Sequence, residues 1–352
     1  MRRVVRIAAY VPGAPERDLP APALDEDEFT FAATAVERVW AGRQEEPGPV
    51  PVHLIGDLPL VADWGFAALL GRDGEVTRHG RESDDPASVV RNLEDGSDGP
   101  ALVVVADLGQ KPSGRTGSKP SAVGAVAFLL DPAEEPSPFP FVKAGTPRSP
   151  LSAAFRAGEP GRELPRGVTL VGDWDRVPGG DDGARRKTSR RPADPNVSMV
   201  SEGAYVPRAR YLENLPSRWR FVAELCGACH GTTFPARGVC RKCGRSDLLS
   251  ELELPLDGGR VVAVTTVGKG GQPTEFDAQV EATGPYDVAL VELARGMRVT
   301  LQVTDAPAGA LVVGDHVNTR LRRLYPMEGE WRYGRKAVPL PGTTSRTTAR
   351  DR

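Results

Sequence analysis

Cysteine is missing from the first 225 residues and from everything after position 243. No disulfide can therefore staple most of the chain, as expected of a reducing compartment. No apolar run approaches the ~18 residues that a membrane helix needs, so the chain is not expected to span a bilayer. The apolar start of the sequence is broken at Arg6, too early for the hydrophobic region of a secretory signal, which makes the cytoplasm the expected location. Neither sign of charge dominates: 45 Lys and Arg stand against 47 Asp and Glu, a net charge of -2. No global field draws this chain to polyanions, and neither a chromatin-type nor a halophilic surface fits.

What is present is length and punctuation. At ~150 residues per domain, 352 residues predict about two domains with room for a small third. The 39 glycines and 33 prolines, about one fifth of the chain, predict long irregular connections. Val4 to Val11 reads as a strand stopped by Pro12 and Gly13. From Asp25 to Trp40, Phe29, Ala32, Ala33, Val36, Val39 and Trp40 recur at helical spacing behind an acidic start that suits the helix dipole. Val50 to Ile55 reads as a strand, Val61 to Leu70 as a short helix or buried turn, and Ala101 to Ala106 and Ala122 to Leu130 as strands buried on both faces. An α/β domain over residues 1–145 follows. Residues 146–200 read as a Pro-, Gly- and Arg-rich linker with one candidate strand, Val168 to Val171. Its cluster Arg185, Arg186, Lys187, Arg190 and Arg191 suits either a phosphate or a solvated linker, and no interleaved aromatics are there to stack bases.

Order returns in residues 201–255, with Tyr211 to Val222 helical or extended ahead of the cysteines. Residues 256–340 carry five candidate strands, Arg260 to Val267, Val288 to Leu293, Met297 to Val303, Val317 to Tyr325 and Trp331 to Ala337, which predict a small barrel. Residues 341–352 have almost no apolar content and read as a disordered tail.

Cys226-Gly-Ala-Cys229 and Cys240-Arg-Lys-Cys243 are two Cys-x-x-Cys knuckles separated by ten residues. Each knuckle can turn two thiolates onto one ion, and four thiolates close a tetrahedron around zinc. Such a site has no open position for water or substrate, so its role is structural; iron in a rubredoxin-like site is the chemical alternative. His230, beside Cys229, suits a substitute ligand as well, but with four cysteines available it reads as a neighbour of this site.

The stretch Leu225 to Gly244, with Phe234-Pro235 and Arg237 before the second knuckle, resembles the zinc ribbon of the acyl-CoA-associated zinc-ribbon/OB-fold proteins. Gly259, Pro285-Tyr286 before Val288 to Leu293, and Val313-Gly-Asp-His-Val317 continue the resemblance, which covers about Tyr205 to Leu340. It implies a rubredoxin-type zinc ribbon packed on a small all-β OB-fold barrel, working beside a thiolase-superfamily enzyme and helping to accommodate CoA or its acyl chain. The first domain, through Ile7 to Pro12, Asp25 to Trp40, Ala101 to Asp107 and Val123 to Leu130, resembles a shortened amino-terminal half of thiolase-superfamily proteins, above all hydroxymethylglutaryl-CoA synthase. The acyl-accepting cysteine of that superfamily has no counterpart at Ala62 to Leu70. Acyl transfer of the thiolase type needs that thiolate, so no catalytic residue is assigned. Ser88 and Ser121 lack a Gly-x-Ser-x-Gly setting, and Asp63 suits a surface or capping role as well as a relic of an active site.

The candidate contacts to CoA, an acyl chain or a partner are Phe234, Arg237, Tyr286, Arg218 and Arg220. Arg208 and Arg210 extend the same alternation and equally suit a solvated face. Trp64 and Phe66 suit an acyl tunnel or simply the core. Lys269, in the glycine-rich loop Gly268 to Gly271, lacks the Gly-Lys-Ser/Thr ending of a P-loop. Three functions compete: a noncatalytic acyl-CoA-binding or scaffolding subunit of a thiolase, acyltransferase or hydroxymethylglutaryl-CoA synthase-like enzyme; an enzyme of that class with a composite site; and a single-strand nucleic-acid binder. The slightly acidic balance and the lack of an aromatic series on the strands argue against the last. A homodimer through the first domain is compatible with the thiolase likeness.

Overall fold

Strand β1 (Arg2–Tyr10) and helix α1 (Glu28–Trp40) form where the apolar spacing places them. The helix starts at a reciprocal capping box, in which Thr30 N donates to Asp27 Oδ1 (2.9 Å) and Asp27 N donates to Thr30 Oγ1 (2.8 Å). Its other end is closed from β1. Arg6 Nη1 donates to the carbonyls of Val39 (3.1 Å) and Ala41 (2.5 Å), so the cation that interrupts the first apolar run satisfies the orphan acceptors of a helix C-terminus. Strands β2 (Val52–Ile55), β3 (Val76–His79), β4 (Ala101–Asp107), β5 (Gly124–Pro132) and β6 (Thr169–Gly172) complete a mixed six-stranded sheet in the order β3-β2-β4-β5-β1-β6. The β2–β3, β2–β4 and β1–β6 pairs are parallel, whereas β5 runs antiparallel to β4 and β1.

The structure is a computed structural model. It describes residues 2–12, 25–43, 48–56, 58–79, 86–96, 99–107, 123–133, 150–158, 164–165, 167–176, 206–268, 280, 284–327 and 330–340. Two units, 1–191 and 192–352, divide the chain. The basic cluster at 185–191, Ser121, Lys269 and the tail from 341 lie outside the described residues.

In the first unit, α1 is buried on nearly all sides, with Phe29, Phe31, Ala32, Ala33, Ala35, Val36 and Val39 out of solvent. Helix α2 (Ala62–Leu70) packs beside it through Phe66, edge-on to Phe29 at 5.3 Å. Gly65 permits this approach, since a Cβ there would lie 2.5 Å from the Phe29 ring. Phe66 is thus a core residue, and the Asp63 carboxylate accepts from Arg78 Nε at 2.6 Å on the surface. Helices α3 (Pro86–Glu94) and α4 (Pro150–Ala157) contribute Val89, Val90, Leu151, Ala154 and Phe155 to a core with Ile7, Ala9, Val103, Val105, Val126 and Phe128. Ser88 is exposed on α3.

One boundary shifts against the sequence reading. Residues 150–176, read as linker, supply α4 and the edge strand β6 to the first unit, and Trp174 belongs to its core. Asp173 ties this segment down by accepting from Val11 N (3.1 Å) and Arg38 Nη1 (2.9 Å). The candidate strand Val168 to Val171 is present one residue on, as β6, and it joins the first unit because β1 offers it an open edge.

In the second unit, helices α5 (Arg208–Glu213) and α6 (Leu215–Trp219) precede a three-stranded sheet, β8-β7-β9, of β7 (Val222–Cys226), β8 (Thr232–Thr233) and β9 (Leu249–Glu253). A five-stranded antiparallel sheet follows, with β10 (Gly259–Val267), β11 (Tyr286–Glu292), β12 (Arg298–Gln302), β13 (His316–Met327) and β14 (Glu330–Pro339) in the order β12-β11-β10-β13-β14. Its two edges meet, because Val303, just past β12, bridges Ala337 of β14. Gly259 begins β10 where a Cβ would lie 2.5 Å from Val291 Cγ1. Phe221, Ala223, Phe234 and Leu254 around the small sheet share one core with Val261, Ala289, Val291, Leu301, Val317 and Ala337 of the large one. The divide drawn at 255/256 from sequence therefore runs through a continuous core. Among the described residues, no helix is long and apolar enough to cross a membrane.

One prediction concerns the cross-strand pair His53 Nδ1 and His79 Nε2, 3.1 Å apart on β2 and β3. Burial, then His79 and Arg2, push the His53 pKa down to about 4. The unfolded chain, with an ordinary value of about 6.5, binds the extra proton first. Stability from neutral His53 is therefore complete above about pH 6.5 and declines as pH falls toward 4. Thermal melts across that window should show the decline, and His53→Gln should flatten it.

Candidate metal centre

The β7–β8 turn carries the first knuckle and the loop before β9 carries the second. Both are built alike. His230 N donates to Cys226 O (2.8 Å) and Cys226 N to Gly231 O (3.0 Å); Gly244 N donates to Cys240 O (2.9 Å) and Cys240 N to Arg245 O (2.8 Å). His230 and Gly244 hold equivalent places, both left-handed, at φ 54° and 77°. A histidine thus takes the position that glycine fills in the other knuckle, and its role here is backbone geometry.

The repeated turn points all four sulfurs inward, and every Sγ lies within 4.8 Å of the others. Cys226 and Cys243 are 3.7 Å apart, and Cys229 and Cys240 are 3.5 Å apart. Two sulfurs at ~2.3 Å from one tetrahedral ion would stand ~3.8 Å apart, whereas a disulfide needs ~2.05 Å. The spacing fits shared coordination. Backbone N–H groups of Cys243 and Lys242 pull the Cys240 pKa down to about 6, and those of Cys229 and Ala228 lower that of Cys226. Cys243 is the counterweight: despite the Arg245 N–H, the neighbouring thiols push it up to about 12. Without a cation, four negative sulfurs this close repel one another, so the donor set itself calls for a positive ion.

Around the centre, Glu224 of β7 accepts from Arg237 N (2.8 Å) and Gly238 N (2.9 Å), and Thr233 Oγ1 accepts from Arg241 N (3.1 Å). Arg295 Nε donates to Thr232 Oγ1 (2.8 Å) and fastens β8 to the large sheet. Cys226 is 0% exposed and Cys240 2%, whereas Cys229 is intermediate and Cys243 exposed.

The other candidate positions do not share one environment. Phe234 is buried edge-on against Phe221 at 5.9 Å, and Tyr286 is buried at the start of β11 beside Asp287, which accepts from Thr266 Oγ1 (2.6 Å) and Gly309 N (2.8 Å). Arg220 pairs with Glu253 at 2.5 Å, Arg210 with Glu213 at 2.7 Å, and Arg208 with Glu330 at 3.3 Å. Arg218 and Arg237 are exposed on separate elements.

A further set was passed over in the sequence. Arg322, Arg323, Arg332, Arg335 and Lys336 of the β13–β14 hairpin are all buried, Arg322 to 1% and Arg332 to 2%. Arg322 Nη2 meets Asp305 (3.1 Å), Arg332 Nη1 meets Glu330 (3.1 Å) and stacks over Tyr211, Arg323 stacks over Trp331, and Arg335 Nε donates to Trp219 O (2.6 Å). Opposite them, Tyr211 Oη both donates to Tyr333 O and accepts from Tyr333 N at 2.9 Å. The signal in the sequence was the arginine density of Arg320 to Arg323 and Arg332 to Lys336, masked by the alternation that marks strands.

Comparison with known proteins falls on part of the chain. It is 31% identical over 121 residues to a DUF35 domain-containing scaffold protein of Methanothermobacter thermautotrophicus, a match covering 34% of this chain and 85% of that one. A solved structure described as the Ltp2-ChsH2(DUF35) aldolase is 22% identical over 37% of this chain and 90% of its own, with a TM-score of 0.28. The hydroxymethylglutaryl synthase of the curacin biosynthetic pathway, in complex with an acetyl donor-ACP, is 15% identical over 41% of this chain and 43% of its own, with a TM-score of 0.31. At such TM-scores neither structure carries an argument about fold. No family model matches the chain.

Three substitutions probe the site. Cys226→Ser or Cys240→Ser should abolish stoichiometric metal binding, read by elemental analysis, while the first unit keeps its own unfolding transition. Phe234→Ala should cost the second unit about 3 kcal/mol or more, read in denaturant melts, through the cavity it opens beside Phe221.

Proposed function

Because the chain belongs, over about a third of its length, to the DUF35 domain-containing scaffold proteins, we propose that it is a noncatalytic scaffolding subunit for an acyl-CoA-processing enzyme of the thiolase superfamily. The observation that carries this reading is the use of every cysteine in one cluster. No thiol is left for a thiolase-type acyl-enzyme, which requires a thiolate nucleophile. Binding and positioning need only shape and charge.

We take the ion to be zinc, held by Cys226, Cys229, Cys240 and Cys243, since four soft thiolates in tetrahedral spacing suit it and leave no position for substrate. Its role is to fix the second knuckle onto the small sheet, where little apolar surface does so. The strand order β12-β11-β10-β13-β14, joined at its edges by Val303 and Ala337, supports an OB-type barrel beneath it. The ribbon and barrel then form one rigid docking module. In this reading the first unit is a thiolase-superfamily half domain without the acyl-accepting cysteine, and the partner is a thiolase, acyltransferase or hydroxymethylglutaryl-CoA synthase-like enzyme. Exposed Arg218 and Arg237 offer charge to CoA phosphates or to an acidic partner surface, whereas Phe234 and Tyr286 contribute by shaping the barrel from within.

The test is affinity capture of the tagged chain from its native cell extract with mass spectrometry, followed by acyl-CoA turnover assays on the captured complex and on the chain alone. A cysteine-containing thiolase-superfamily partner with activity only in the complex is the expected result. Turnover by the isolated chain would replace this reading with that of an enzyme.

A further inference from the structure

The four cysteines are unlike in access. Cys226 and Cys240 are buried, Cys229 is intermediate, and Cys243 alone of the four is exposed. The two knuckles are also unequally anchored. The first grows from β7 and β8, whose Phe221, Ala223 and Phe234 neighbours belong to the core of the second unit. In the second, residues 235–239 and 241–248 are exposed or nearly so, and its hydrogen bonds to the small sheet run through Glu224 and Thr233. The sulfur facing Cys243 from the first knuckle is that of Cys226, at 3.7 Å.

From this asymmetry we propose that the centre is a peroxide-sensitive modification site, in which Cys243 is oxidised first and is resolved by Cys226 into a disulfide between the knuckles. The inference rests on the four-thiolate reading above. In the loaded centre all four sulfurs are thiolates, and in the first step the exposed one, Cys243, attacks a peroxide oxygen; an S–O bond forms, the O–O bond breaks, and the departing hydroxide takes a proton from solvent to leave as water. In the second, the Cys226 thiolate attacks the sulfenic sulfur; an S–S bond forms, the S–O bond breaks, and a second water leaves after protonation. Two sulfurs are oxidised and one peroxide is reduced. Contraction from 3.7 Å to bonding distance removes two of the four ligands, so the bound ion is lost and Arg241 to Asp247 are freed from their frame. Because that segment carries Arg241, Lys242 and Arg245 on the surface, oxidation would alter the face the module offers to a partner.

The experiment uses the metal-loaded full chain and hydrogen peroxide, with metal release followed by a chromogenic chelator and disulfides mapped by non-reducing peptide mass spectrometry. Wild type should lose its ion together with formation of the Cys226–Cys243 linkage. Cys243→His retains a Cys3His set, a donor combination that zinc accepts, and should slow release by roughly tenfold or more. Cys226→His, with Cys243 still exposed, should be oxidised at Cys243 at close to the wild-type rate but form no linkage between the knuckles. Equal release from wild type and Cys243→His, or first oxidation at a cysteine other than Cys243, would overturn the proposal. Should either variant fail to load metal, the wild-type peptide map decides alone. A reduced wild-type chain that takes up no metal would overturn the four-thiolate reading itself, and this one with it.

Discussion

Convergence of four thiolates within 4.8 Å is the constraint on which the ribbon depends. Between Pro235 and Leu248 the chain buries almost nothing but Cys240. A segment of that kind cannot offset its conformational entropy by apolar burial. It is ordered by sulfur geometry and by the backbone hydrogen bonds that aim the sulfurs. The same pair of bonds recurs in both knuckles, from the fourth residue after the first cysteine and from that cysteine itself, so one local solution is used twice.

The hydrophobic effect does the complementary work next door. Phe221, Phe234 and Leu254 join the small sheet to the five-stranded one through a shared core, and Arg295 reaches across to Thr232. If the second unit docks a partner as proposed, this coupling is what keeps its face rigid. The first unit solves a different problem. Its central helix is buried nearly all round, so both of its ends must be satisfied by protein: Asp27 and Thr30 close one, and Arg6 closes the other.

Buried cations set the limit of a hydropathy reading. Arg322, Arg323, Arg332, Arg335 and Lys336 are out of solvent in a hairpin whose cation density taken alone suggests a solvated face. They are accommodated by carboxylates, aromatic rings and backbone carbonyls drawn from distant parts of the second unit, among them Asp305, Tyr211 and Trp219. Such burial requires partners that no local window contains.

What could be read from the chain was local. Helical spacing located α1, continuous apolar runs located β4 and β5, and the paired Cys-x-x-Cys spacing located the metal cluster, because each depends on residues a few positions apart. Short apolar segments likewise located the five strands of the large sheet. Strand β3, helix α3, the recruitment of α4 and β6 into the first unit and the single core across the second were decided by tertiary structure. A short edge strand such as Thr169–Gly172 was legible, but which sheet it joins is set by a distant partner with hydrogen bonds to be filled. Phe234 and Tyr286, candidates for ligand contact in the sequence, are buried by the packing around them. Residue type and spacing determine what chemistry a chain can perform, and the fold determines which side chains face one another and which face water.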